Sequence, residues 1–455
     1  MTASAPRPLT RASIFQQAWP IMLGQASIPL VGIVDVAVIG RTGDTAALAG
    51  VALGATIIGL AFWTFGFLRM GMTGLTAQAD GAGDRAEVEA LLLRSLLIGG
   101  GIGAGLLMLN WPIREAAFAV LAGSEAVHGE AGAYVAARFL GAPAALCVFA
   151  INGWLLGLGR TREALFIQIV MNCVNIALDL WLVWGMGLGA RGVGLGTAGA
   201  EWVALAVGLI VAARILGRSP LASWRASGTA AVFERVAMRR LFAVNRDLMI
   251  RTIALLAMFA WFANSGARLS AEALAANHVL LQFINVAAFV LDAFAFTAES
   301  RVGHAVGRRS RGDFLRSVRL TGEFSLLAGI LLALFFMAAG PWVIRLIAAD
   351  PAVVAEAIRF LPFAAAVPLL GMPSWMLDGI FIGAIRGRAL RNAALLATAI
   401  YVVIDLALRP FGNAGVWTAI SLSYLLRAGA LALYLPGLLR DLAHQTPVAV
   451  EGRPL

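Results

Sequence analysis

The chain is 455 residues long, 60% hydrophobic and 13% charged, with a mean hydropathy of +0.85. Soluble domains carry roughly 25% charged residues, so a water-soluble enzyme or binding domain is excluded and a polytopic membrane protein is implied. The net charge of +10 is supplied by arginine alone, with no lysine in the chain, and these arginines segregate by loop rather than forming one basic face.

Crossing the hydrocarbon takes about 20 apolar residues. Twelve such stretches are expected, beginning near residues 14, 46, 88, 131, 163, 193, 241, 271, 314, 356, 389 and 413. The first follows a polar start, Met1 to Thr10, closed by Arg11. No cleavable signal stands out there, because the apolar stretch after it is long enough to span. One set of alternating loops carries single arginines, Arg41, Arg114, Arg191, Arg268, Arg345 and Arg409. The other set carries clusters, such as Arg235, Arg239, Arg240 and Arg246, or Arg308, Arg309, Arg311, Arg316 and Arg319. This positive-inside bias places both termini in the cytoplasm and argues against a nucleic-acid partner.

In the first span Asp35 interrupts the apolar run Ile21 to Ile39. A charged residue at the centre of a membrane helix costs roughly 2.5–3.5 kcal/mol on insertion scales, and such residues mark ion or proton pathways by default. Pro20, Pro29 and Gly32 give the same span points at which it can bend. In the fifth span Asn172, Asn175 and Asp179 are spaced i, i+3, i+7 and share one helical face. Thr197 and Glu201 share a face of the sixth in the same way. With the N-terminus inside, Asp35, Asp179 and Thr197 all fall toward the outer side at similar depth. Two carboxylates with amide and hydroxyl oxygens suit protons or a hard monovalent cation, and their protonation belongs to the pair. The competing reading is structural, with hydrogen bonds merely joining helices.

The polar connection after the sixth span divides the chain. We expect an N-lobe over 1–213, a cytoplasmic linker over 214–240, a C-lobe over 241–440 and a cytoplasmic tail over 441–455. A shift of 226 residues aligns the halves, placing Gly40 on Gly266, Gly81 on Gly307, Gly153 on Gly379, Gly157 on Gly383, Arg160 on Arg386 and Asp179 on Asp405. Each half has an even number of spans, so the repeats share one orientation. Their pseudo-twofold axis then runs along the membrane normal, as in carriers that rock about a central site. The expected fold is all-α and integral to the membrane, with twelve transmembrane helices in two six-helix lobes.

Several strings resemble the multidrug and toxic compound extrusion (MATE) family, in its bacterial DNA-damage-inducible F (DinF) branch. They are VDVAVIGR (Val34 to Arg41), FLRMGMTGLTAQADGAG (Phe67 to Gly83), GSEAV (Gly123 to Val127), NCVNIALDLWLV (Asn172 to Val183), NRDLMIRT (Asn245 to Thr252), LDAFAFTAES (Leu291 to Ser300) and LDGIFIGAIRGRALRN (Leu377 to Asn392). The resemblance implies a two-lobed inner-membrane antiporter that exports amphipathic, often cationic drugs in exchange for protons or sodium. It carries the family's first-lobe cation site onto Asp35, Asn175, Asp179 and Thr197. Asp378 matches an acidic position that other branches use in the second lobe. Those branches pair it with a glutamate in the seventh span, and Asn245 to Asn264 contains none. Asp292 and Glu299, seven residues apart in the eighth span, are read as acids contacting substrate or locking helices. Asn172 and Glu201 are further candidates near the coupling site. Asp405 receives no role from the resemblance.

No cofactor is expected beyond the coupling ion, and no metal site beyond Na+ at the coupling residues. Cys147 and Cys173 lie in apolar segments, and His128, His278, His304 and His444 do not cluster. Gly187, Gly189 and Gly192 spell a GxGxxG, but between two spans it reads as a tight turn and not a nucleotide loop. Phe62, Trp63 and Phe65 line either a drug cavity or the lipid face. The expected partners are small organic substrates and membrane lipids, and the expected state is a monomer. The alternative carrier is a flippase for a lipid-linked amphiphile, which calls for a strongly basic cavity. An enzyme is disfavoured, since no Ser-His, His-rich or Cys-rich arrangement sits at matching depth.

Overall fold

The structure is a computed structural model that describes residues 9–219, Ala222, Trp224 and 233–444. Of the expected linker over 214–240, residues 220, 221, 223 and 225–232 lie outside the described residues, as does most of the tail over 441–455. Among the described residues the chain is helical throughout, without a strand. In chain order the helices are α1 (Arg11–Gly40), α2 (Thr45–Thr64), α3 (Phe67–Gly81), α4 (Arg85–Met108), α5 (Asn110–Val120), α6 (Glu125–Phe139), α7 (Ala142–Gly157), α8 (Thr161–Asp179) and α9 (Gly189–Leu216). Then follow α10 (Arg235–Ala267), α11 (Ala271–Gly307), α12 (Arg311–Ile347), α13 (Pro351–Gly383), α14 (Gly387–Leu408), α15 (Asn413–Ala432) and α16 (Leu435–His444).

Eleven helical segments among the described residues are long and apolar enough to cross a membrane, and the bent pair α6–α7 makes a twelfth. Polar side chains close their ends. Asp44, Asp84, Ser124, Ser270, Ser310 and Asp350 each accept from a backbone N–H of the helix they precede, satisfying donors that have no intrahelical partner. The GxGxxG segment is an interhelical turn, with Gly187 and Gly189 at φ of 67° and 54°, a region that favours glycine. Large apolar side chains such as Ile33, Trp181, Leu334 and Phe335 point outward, as lipid contact requires.

The chain forms two compact units. The N-terminal unit holds Leu23–Thr76 and Asp84–Phe242, and the C-terminal unit holds Met1–Met22, Ala77–Gly83 and Ala243–Leu455. Thus α1 changes unit between Met22 and Leu23, a point bracketed by Pro20 and Pro29.

In the N-terminal unit, Gly50 and Gly54 of α2 leave room for Glu130 and Tyr134 of α6, and Gly99 and Gly103 of α4 abut the backbone of α7. Gly153 and Gly157 of α7 lie against Arg69, Thr73 and Thr76 of α3. At the equivalent place in the C-terminal unit, Gly379 and Gly383 of α13 lie against the backbone of Ala295 and Glu299 on α11. Close backbone approach of this kind drives helix association in lipid, where apolar burial alone does not. The two GxxxG pairs therefore build the same contact twice.

The expected span near residue 131 is two helices, α6 and α7, meeting at 52°. Pro143 stands in the first turn of α7, where it has no N–H to continue a helix from α6. The break frees the Leu140 carbonyl, which accepts from the Trp202 indole of α9 at 3.0 Å. A Cβ at Gly141 would strike Ala198 and the Glu201 carboxylate, so this glycine admits α9 to the bend.

Candidate functional site

Within the N-terminal unit, α1, α6, α8 and α9 bring four acidic or basic side chains out of water. Asp35 is 7% exposed and Asp179 is fully buried. The two carboxyls lie close enough to interact directly. Asn175, one turn before Asp179 on α8, donates to Asp179 Oδ2 at 3.2 Å and to Thr197 Oγ1 at 3.1 Å. Thr197 in turn donates to the Val193 carbonyl of α9 at 3.1 Å. Gly196 lets α9 close on the Asp179 side chain, because a Cβ there would collide with its carboxylate.

Two carboxyl oxygens bond to each other only through a proton. With both acids ionised, Asp35 Oδ1, Asp179 Oδ1 and Asn175 Oδ1 are three buried acceptors with no hydrogen-bond donor. A cluster of bare oxygens out of water is costly unless a positive charge joins it. The residues thus fit either a shared proton or a small hard cation held by carboxylate, amide and hydroxyl oxygens.

The backbone around the pair departs from a regular α-helix. Immediately after Asp179, residues Leu180–Gly185 form a π-helical turn, a feature frequent at functional sites. Its Trp184 indole donates to the Val38 carbonyl of α1 at 3.0 Å. That bond ties the C-terminal end of α1, three residues beyond Asp35, to the turn that follows α8.

A fixed ion pair adjoins the site. Arg138 Nη1 of α6 lies 3.0 Å from Glu201 Oε2 of α9, with both side chains 8% exposed. The Arg138 guanidinium also stands 5.3 Å from the Phe62 ring centroid, and its charge acts on both Asp35 and Asp179. Phe62 is buried and packs edge-on against Phe139, whereas Trp63 is 61% exposed. Asn172 accepts from Gln168 at 2.9 Å.

The C-terminal unit is built differently. Asp378 of α13 is held by Arg251 of α10 in a short contact and by Arg427 of α15 at 3.5 Å. Arg427 also donates to Ser374 at 2.8 Å and lies 5.7 Å from the Tyr424 ring. Asp292 is half-buried and Glu299 fully buried on α11. Asp80 of α3 and His304 of α11 meet at 2.9 Å. Beside them Gln78 donates to the Gly383 carbonyl at 3.0 Å.

The MatE family model matches residues 20–181 and 248–426. This chain belongs to the MatE family. It is a multi-pass membrane transporter and not an enzyme. It is 34% identical to the DNA damage-inducible protein F of Escherichia coli (strain K12) over 426 residues, 92% of this chain and 91% of that protein. It is 26% identical over 431 residues to the probable multidrug resistance protein NorM of Acinetobacter baylyi, covering 89% and 91% of the two chains. Its fold is shared with the MATE transporter VcmN of Vibrio cholerae in the bent form, at a TM-score of 0.84 and 18% identity over 95% of this chain and 97% of that one.

In this MatE transporter the structure brings together Asp35, Asn175, Asp179 and Thr197, the four residues marked by the resemblance. Glu201 sits beside them but spends its charge on Arg138, and Asn172 bonds to Gln168 one turn away. Sequence reasoning did not mark Arg138. The available signal was an arginine in an apolar run two residues before Leu140-Gly141-Ala142-Pro143, a string that breaks a helix.

Proposed function

We propose that this MatE transporter exports amphipathic, often cationic organic compounds in exchange for protons or sodium, with Asp35 and Asp179 as the coupling pair and Asn175 and Thr197 as auxiliary ligands. The observation that carries this reading is the buried carboxyl pair with its three acceptors lacking a donor. One positive charge, as a proton or as Na+, satisfies that cluster, and its departure leaves a site that attracts a cationic substrate. Alternation between the two occupants is antiport. The membrane potential supplies about 2.3 kcal/mol per charge per 100 mV to drive it. Arg138 with Glu201 keeps the walls of the site neutral, so the pair alone changes charge. Pro20 and Pro29 give α1 the compliance to follow a change at Asp35.

The substrate class draws support from the NorM relative, described as a probable multidrug resistance protein. In the same reading the chain acts as a monomer in the bacterial cytoplasmic membrane, with both termini inside and six-span lobes over 1–213 and 241–440. Asp292 and Glu299 contact substrate or lock helices, and Asp378 holds its two arginines.

Efflux of a fluorescent cationic dye in everted vesicles tests the proposal, with the proton and sodium gradients dissipated separately. The gradient whose collapse stops efflux names the coupling ion. Asp35→Asn and Asp179→Asn are each expected to abolish coupled efflux while the protein still reaches the membrane. Unchanged transport in both variants removes the coupling role.

A further inference from the structure

The repeat register sets three residues of the C-terminal unit at the positions of the coupling site. Trp261 stands where Asp35 does, Tyr401 where Asn175 does, and Asp405 where Asp179 does. The site is altered there but not erased. Asp405 is 2% exposed in the last turn of α14, and Tyr401 is fully buried one turn before it. Trp261 and Ser265, one turn apart on α10, donate to Asp405 Oδ2 at 2.9 Å and 2.7 Å. Two donors thus converge on one carboxylate oxygen. The other, Asp405 Oδ1, is buried with no partner, and so is the Tyr401 hydroxyl.

Among the described residues no ion pair is recorded for Asp405. Buried charges in proteins are paired or hold a cation, and inside a membrane the demand is stronger still. An unshared carboxylate oxygen, a phenol oxygen and a serine hydroxyl are hard ligands of the kind that small hard cations take. The site offers a single carboxylate, whose one charge suits a monovalent ion over a divalent one.

We propose that Asp405, Tyr401 and Ser265 form a second, small monovalent cation site of the sodium class, confined to the C-terminal unit. This does not rest on the assignment of Asp35 and Asp179. The tryptophan in place of a second acid explains how the two sites differ. The indole N–H is a permanent donor that cannot gain or lose a proton, so the bound ion is held without the charge switching of a carboxyl pair. On this view the second ion is a resident of the C-terminal unit and the first is the one exchanged.

The test is equilibrium binding of radioactive Na+ to the purified full chain, in wild type and in an Asp35→Asn/Asp179→Asn background. The background variant is expected to retain one Na+ per chain, whatever the vesicle experiment reports for it. Adding Asp405→Asn removes that ion, and Tyr401→Phe weakens it at least tenfold. Size-exclusion elution at the wild-type position certifies folding. If Asp405→Asn does not fold, Tyr401→Phe and Ser265→Ala carry the test, and unaltered affinity in both overturns the proposal. So does a folded Asp405→Asn protein with its Na+ stoichiometry intact, or a folded background variant that takes up no Na+. A buried water bridging Asp405 and Tyr401 gives this last result.

Discussion

Replacing Arg138 with methionine separates two roles that adjacent acids can play. The side chain keeps an unbranched apolar stem and loses its charge, leaving the Glu201 carboxylate buried at the α6–α7 bend. At 3.0 Å and an effective dielectric of about 20, the Coulomb attraction of the pair is about 5.5 kcal/mol. Removing one partner of a buried ion pair costs about 3–5 kcal/mol, because the remaining charge has lost its compensation. We therefore expect Arg138→Met to lose about 3 kcal/mol of stability, and Glu201→Gln alone to lose a comparable amount by stranding the guanidinium. The double variant, with neither charge, should lose less than the two single losses together, with a coupling energy of about 2 kcal/mol or more. Reversible denaturation of the purified protein, run as a double-mutant cycle, reads this directly. Dye efflux then distinguishes the acids, since the Arg138→Met/Glu201→Gln double variant should still couple transport while Asp35→Asn does not. Additive single-variant losses would refute the ion pair as a unit. A folded double variant that cannot couple would place Glu201 among the coupling residues.

Gly383→Leu drives a side chain into the backbone of Glu299. It should lower stability by about 1–3 kcal/mol through overpacking, measured as a reduced thermal midpoint, and Gly157→Leu should behave alike at the equivalent contact of the other unit. Trp202→Phe keeps a ring on α9 but leaves the Leu140 carbonyl without its indole donor. A loss of about 1 kcal/mol is expected, with faster amide exchange confined to residues around the bend; protection unchanged there would show that the indole bond does not hold it.

Much of this protein was legible in its sequence because the bilayer imposes simple rules. Every backbone polar group must be satisfied inside the span, so apolar runs of sufficient length become helices wherever they occur. All twelve expected runs are found, one of them as a bent pair. The glycine pairs at Gly153 and Gly379 stood out in the repeat register, and they pack helices because only small residues admit a neighbouring backbone. Asp35 and Asp179 announced themselves through the cost of placing a carboxylate in hydrocarbon. Periodicity also set Asn175 and Asp179 on one helical face.

Partnership was not legible. Glu201 and Asn172 looked as available as Asp179, because spacing fixes a face of a helix but not what stands opposite. Only the approach of α6 to α9 decided that Glu201 meets Arg138, and that approach depends on the bend at Gly141 and Pro143. Asp405 aligned with Asp179 in the repeat, yet its surroundings were set by Trp261 and Ser265, more than a hundred residues earlier in the chain. Local physics, in which each residue answers to its solvent and its own helix, was written in the sequence. The pairing of charges between distant helices was settled by tertiary packing, because Coulomb and hydrogen-bond energies depend on distances of a few ångströms that no spacing along one helix specifies.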